Sequence, residues 1–170
     1  AKVQKPSKIF VVSAGDLFGE WMPGEWVAQV MQVVRANPQH TFQFLTKNPK
    51  ALAWLNPWPA NAWVGVSATR WSDMERALAW LADVEAPVRF VSAEPLMGPL
   101  FGVADDLDWS AINWLILGAM TAPGAEDEEP PIWWGEQAVE AAQARGIAVW
   151  VKDSLPWYER ISKRPKEWPG

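Results

Sequence analysis

Six short apolar runs, separated for the most part by amphipathic stretches, constrain this chain more than any other feature of its sequence. Residues 9–12 are β-branched and aromatic and end on Ser13-Ala14-Gly15-Asp16. After Pro23-Gly24, Val27, Val30, Met31 and Val34 recur at the spacing of one helix face. Residues 41–45 form a second strand ending at Thr46-Lys47, a short helix follows over 49–55, and residues 62–66 form a third strand ending at Ser67. Ser72 with Glu75 three residues on has the pattern of a capping box, so a helix is expected to start there, with Met74, Ala77, Leu78 and Leu81 facing inward. Residues 88–91 give a fourth strand ending in Ser92-Ala93-Glu94-Pro95, and 114–117 a fifth ending at Gly118. A Pro-rich acidic loop is expected over 121–131 and a helix over about 134–145, closed by Gly146. The sixth strand, 147–151, ends in Lys152-Asp153.

Strands that alternate with helices are parallel and joined by right-handed crossovers. Continuous apolar runs, rather than alternating ones, mark strands covered on both faces. Two architectures fit, a doubly wound open sheet and an incomplete barrel. No Walker loop and no Gly-x-Gly-x-x-Gly run follows any strand, which removes the main support for a nucleotide-binding doubly wound fold. The expectation is an α/β protein with a partial (β/α) TIM-like barrel of about six parallel strands and helices outside. Its 170 residues fit one domain, with a polar C-terminal tail over 154–170.

Composition narrows the chemistry. The chain has no cysteine and a single histidine, His40, so it offers no thiolate and no multi-histidine metal site. His40 precedes the second strand, at the end opposite a rim site, and is expected to be a surface or structural residue. A net charge of −5 gives no support to nucleic-acid binding, which neutralises phosphates with Lys and Arg. The basic cluster Arg160, Lys163, Arg164 and Lys166 is too short to change that, and the acidic run 126–129 reads as a solvated loop. No apolar stretch reaches the roughly 20 residues that span a bilayer, so no membrane partner is expected, and a cytoplasmic location is the default. Fourteen tryptophans are the compositional oddity; Trp26, Trp80, Trp133 and Trp134 fall on or beside helices, where packing against the sheet is the simplest expectation.

Each strand ends on small or polar residues, and in parallel α/β folds these positions converge on one rim. Ser13, Asp16, Thr46, Lys47, Ser67, Thr69, Ser92, Glu94, Lys152 and Asp153 stand there, with Thr121 slightly later. Ser and Thr at such places also cap helices or form turns. Lys47, Glu94 and Lys152 abut apolar strands directly, so their head groups should point into the rim. Proline holds the residue before it extended, which fixes Glu94 at the mouth of the sheet. There its carboxylate could act as a base, bind a ribose or amine, or pair with Lys152 or Lys47.

Taken together, the segments Lys8-Ile9-Phe10-Val11-Val12-Ser13-Ala14-Gly15-Asp16-Leu17-Phe18, Pro38-Gln39-His40-Thr41-Phe42-Gln43-Phe44-Leu45-Thr46-Lys47-Asn48-Pro49, Trp63-Val64-Gly65-Val66-Ser67 and Val88-Arg89-Phe90-Val91-Ser92-Ala93-Glu94-Pro95-Leu96-Met97-Gly98-Pro99 resemble a bacterial and phage family, the gp-thirty-seven/gp-sixty-eight family. Its members are similar to radical S-adenosylmethionine enzymes. The resemblance continues through Trp150-Val151-Lys152 to Glu167-Trp168-Pro169. It departs at Ser13-Ala14-Gly15-Asp16, where the family has Ser-Met-Ser-Asp, and at Gly118-Ala119-Met120-Thr121, where a rim carboxylate is lost. Family members carry a Cys-rich cluster motif upstream of the first matching strand. The resemblance therefore implies the C-terminal portion of a barrel, a short relative, or half of a split protein, with S-adenosylmethionine and a 4Fe–4S cluster belonging to a full-length relative. It implies Ser13 and Asp16 near the methionine moiety, Ser67, Ser92 and Glu94 near ribose or substrate, and Lys47 and Lys152 toward a carboxylate or phosphate, with Thr46 and Lys47 as substrate-binding candidates. Glu94 and Lys152 are the catalytic candidates, and no metal ligand is expected within the chain. The alternative is a non-enzymatic protein that binds a small molecule or partner chain through the rim. A barrel fragment would also expose an edge at its first strand, so self-association, or pairing with a missing N-terminal segment, is expected.

Overall fold

The structure is a computed structural model that describes residues 3–101, 107–120, 130–155, 160 and 165–170. Six strands form one sheet: β1 (Lys8–Phe10), β2 (Thr41–Thr46), β3 (Ala62–Ser67), β4 (Val88–Ala93), β5 (Trp114–Leu117) and β6 (Ala148–Val151). Every neighbouring pair is parallel and the spatial order is the chain order, β1 to β6. A doubly wound sheet reverses its order at a switch point. None exists here. The sheet winds one way and curls into a half-barrel, with its helices on the outside. These are α1 (Gly24–Ala36), α2 (Trp71–Ala82) and α3 (Ile132–Ala144), with 3-10 segments at Pro49–Leu55 and Trp109–Ala111.

Register and alternation separate the two faces of the sheet. Phe42, Phe44, Val64, Val66, Val91, Leu115, Leu117, Val149 and Val151 share one buried cluster with Met31 and Val34 of α1, Met74, Leu78 and Leu81 of α2, and Ala138, Val139 and Ala142 of α3. The intervening residues face the concave side, where Phe10 is level with Gln43 and Trp63, Leu45 with Gly65, Phe90 and Trp114, and Ser67 with Ser92 and Ile116. Aromatic rings fill that side: Trp114 lies 5.9 Å from Trp63, 5.4 Å from Phe90 and 5.1 Å from Trp168, between ring centroids. Gly65 makes room for this layer, because a Cβ there would lie 2.3 Å from the Phe90 ring.

The closing residues are part of the architecture. The amide of Val151 donates to the Pro165 carbonyl and that of Glu167 to the Val149 carbonyl, so this segment lies antiparallel along the outer edge of β6. The Glu167 carboxylate accepts from the Val149 amide and the Gln143 side chain, at 2.8 and 2.7 Å. Trp168 then reaches over the concave face, with the Lys8 ammonium 4.3 Å above its ring.

Several local expectations change. The strand predicted over 9–12 stops at Phe10, and Val12 adopts a positive φ of 55°. Helix α2 starts at Trp71 with Arg70 at its N-cap, so Ser72 lies inside it. The reciprocal bonds expected of Ser72 and Glu75 are replaced by Asp73, which accepts from the Thr69 amide and hydroxyl. Trp26, Trp80 and Trp133 are 54%, 38% and 54% exposed rather than packed on the sheet. They fall off the helical phase that carries the aliphatic contacts; Trp63, Trp114 and Trp168 gather instead on the concave side of the sheet, and Trp58 packs on Phe44 from its outer face. Trp134 is half-buried against the core. Gly146 closes α3 as expected: its φ is 71°, its amide bonds the Gln143 carbonyl, and the Ile147 amide bonds that of Ala142. The loop expected from 121 to 131 lies outside the described residues up to 129, and with it Thr121 and the acidic run 126–129; Lys163 and Arg164 also lie outside.

Candidate functional site

The C-terminal ends of β1, β2, β3, β4 and β6 surround a cavity of about 710 Å³. Small-molecule sites range over roughly 300–1,000 Å³. Ser13, Asp16, Thr46 and Lys47 line it from the first two strands, and Ser67, Glu94 and Lys152 from the others. Phe10, Val12 and Trp21 add an apolar wall. Of the residues anticipated at the rim and described, Thr69, Ser92 and Asp153 do not line the cavity; Ser92 is buried, one concave-facing step before Glu94. His40 is buried near the start of β2, with its Nε2 3.1 Å from the Val3 carbonyl, and takes no part.

Two of the anticipated residues spend their polar groups on the scaffold. The Asp16 carboxylate accepts from the Phe18 amide at 2.9 Å, the Thr46 hydroxyl at 2.9 Å and the Lys47 amide at 2.8 Å. It thereby ties the turn after β1 to the end of β2. Thr46 is buried, on the same face of β2 as Phe42 and Phe44, and its hydroxyl also accepts from the Asn48 amide. Neither has much capacity left for a ligand.

The other candidates that line the cavity leave polar groups open to it. Glu94 Oε2 accepts from Lys152 Nζ at 2.5 Å across the end of β5, with the two side chains 31% and 41% exposed. Gly118 makes this crossing feasible, since a Cβ there would lie 2.9 Å from Glu94 Oε1. The Glu94–Pro95 peptide is cis. The Lys47 ammonium is exposed and has no carboxylate partner among the described residues, and the Ser13 and Ser67 hydroxyls make no hydrogen bond within them. Next to this rim, Asp73 lies in a cavity that shares Lys47 and Ser67 with the first. Burial opposes its ionisation, but the Thr69 hydroxyl and amide, with the charges of Arg76 and Arg70, outweigh burial and hold its carboxyl below the ordinary value.

Over residues 1–168 the sequence matches the family described as "Protein of unknown function (DUF5131)". The chain belongs to the DUF5131 family. No curated protein and no solved structure matches it. In this DUF5131 protein no group of three or more His, Cys, Asp or Glu among the described residues is placed to hold a metal ion. No helix among them is long and apolar enough to cross a membrane. Sequence reasoning missed Gly118 as a rim residue and missed the apolar wall. A glycine ending an apolar strand, and Phe10 and Val12 alternating with the core-facing Val11, were the available signals. What the DUF5131 rim can do chemically is present both signs of charge and two free hydroxyls beside an apolar wall, an arrangement suited to a small amphipathic zwitterion.

Proposed function

We propose that this chain is the cofactor- and substrate-holding part of a radical S-adenosylmethionine-like protein, and that the rim cavity takes S-adenosylmethionine or a similar zwitterion. The observation that carries this reading is the charge arrangement around one cavity: the Glu94–Lys152 pair at 2.5 Å and the separate ammonium of Lys47. A free amino-acid group has an ammonium and a carboxylate. Glu94 Oε1 accepts from the first, Lys47 meets the second, and Lys152 holds Glu94 in position. Ser13 and Ser67 are placed to bind polar groups between them, and Phe10, Val12 and Trp21 cover the apolar part. When bound, the cofactor supplies a sulfonium whose carbon–sulfur bond breaks on one-electron reduction.

The residues present do not fit a 4Fe–4S cluster, because the chain has no cysteine. The chain alone is therefore expected to hold its ligand without turning it over. The same absence of cysteine favours a second reading, a non-enzymatic protein that binds a small zwitterion at the rim.

Calorimetry with S-adenosylmethionine tests the first reading. Binding should be lost in Glu94→Gln and in Lys152→Met. Because the pair is partly exposed, each change should cost about 1 kcal/mol of stability or less. A loss of about 3 kcal/mol or more would instead make the pair a structural one. Binding of free methionine without any of S-adenosylmethionine would sink the first reading in favour of the second.

A further inference from the structure

The cavity of about 450 Å³ beside the rim has a different chemistry from the rim itself. One wall is a single stripe of α2, Asp73, Arg76, Ala77 and Trp80, at the i, i+3, i+4, i+7 spacing of one helix face. The facing wall is the turn that leaves β2, with Lys47 and Lys50. Three cations thus surround one carboxylate, and that carboxylate, Asp73, is already engaged by Thr69 and Arg76. Lys50 pairs with Glu20 through side chains that are 54% and 73% exposed, and the Arg76 side chain is 65% exposed. Exposed pairs of this kind contribute little, so separating Lys50 from Glu20 to meet another anion costs little. Trp80, 38% exposed, leaves part of its ring open on the same stripe.

From this geometry we infer a nucleotide site, in which a planar base stacks on Trp80 while Lys47, Lys50 and Arg76 hold its phosphate. Cations and an aromatic face within one cavity are the two elements that recognise nucleotides without reading their sequence. Side chains do the work that a glycine-rich loop does elsewhere, which agrees with the absence of such a loop from the sequence. The net charge of −5 opposes the tracking of a long polyanion, so the occupant is a free nucleotide rather than a nucleic acid. The phosphate end meets the rim, since Lys47 and Ser67 line both cavities. Lys47 is shared, so a rim ligand that engages its ammonium competes for it, whereas Lys50, Arg76 and Trp80 belong to this site alone.

Calorimetry on the whole chain tests it with adenosine monophosphate, adenosine, inorganic phosphate and a single-stranded oligonucleotide of about ten residues. The monophosphate should bind at least about tenfold more tightly than either of its halves. Trp80→Ala should weaken the monophosphate about tenfold and leave phosphate unchanged. Arg76→Gln and Lys50→Gln should weaken both. Lys50 is exposed and contributes no core contact, so that variant serves should Trp80→Ala fail to fold. Glu94→Gln should leave monophosphate affinity as it is, which separates this site from the rim. The inference is overturned if the monophosphate binds no better than phosphate, or if folded Trp80→Ala binds it normally. Loss of its binding in Glu94→Gln, or tighter binding of the oligonucleotide, would overturn it too.

Discussion

Gly118 has no side chain, and the rim depends on that. The Glu94 chain lies across it, with Cγ and Cδ each 3.0 Å from where a Cβ would stand. A methyl group placed there makes the Glu94 side chain shift from the position in which it meets Lys152. Gly118→Ala is therefore expected to reproduce the binding loss of Glu94→Gln although it removes no charge. A titration of ligand into Gly118→Ala with wild-type affinity would show that the position of Glu94 is not critical. Asp16 behaves differently. Its three hydrogen bonds hold two loop segments together, so its value to a ligand is indirect, through where it puts Lys47.

The elements carry their own consequence in the start of α2. Asp73 is held below the ordinary aspartate range despite burial, so its ionised form stabilises the fold. For a lowered carboxyl, that contribution is complete above the unfolded value near 4 and is lost as pH falls through the lower folded value. Asp73→Asn should thus cost stability at neutral pH and much less in acid, below the folded value; parallel denaturation curves across that pH window check it. An equal cost at every pH would assign Asp73 a packing role instead. These elements differ in how far the sequence disclosed them. The six apolar runs and the Gly146 stop were legible because strand burial and left-handed closure are written into residue type. The facing of individual residues was only half legible: Thr46 reads as a rim hydroxyl until one notices that it shares the parity of Phe42 and Phe44. The pairing of Glu94 with Lys152, 58 residues apart, was not legible against Lys47, because it depends on how the sheet curls across β5.

At the scale of the whole molecule, the curled sheet has an aromatic lining where a closed barrel would have more strands. Fourteen tryptophans suggest helix packing only while the concave side is out of view. Once register is known, Trp63, Trp114, Trp150 and Trp168 form one aromatic layer on the concave side. The segment that brings Trp168 into that layer also occupies the outer edge of β6. Beyond β1, by contrast, no strand pairs among the described residues. The sheet consequently has one end at which backbone pairing can continue and one at which it cannot. Two copies that join through β1 use up both free ends at once, so assembly closes at a dimer instead of running on into a fibre. Sedimentation at rising concentration should find monomers and dimers only, whereas Glu167→Ala, which loosens the cover on β6, should admit larger species. Chains of wild-type molecules longer than two would mean that the cover does not terminate growth.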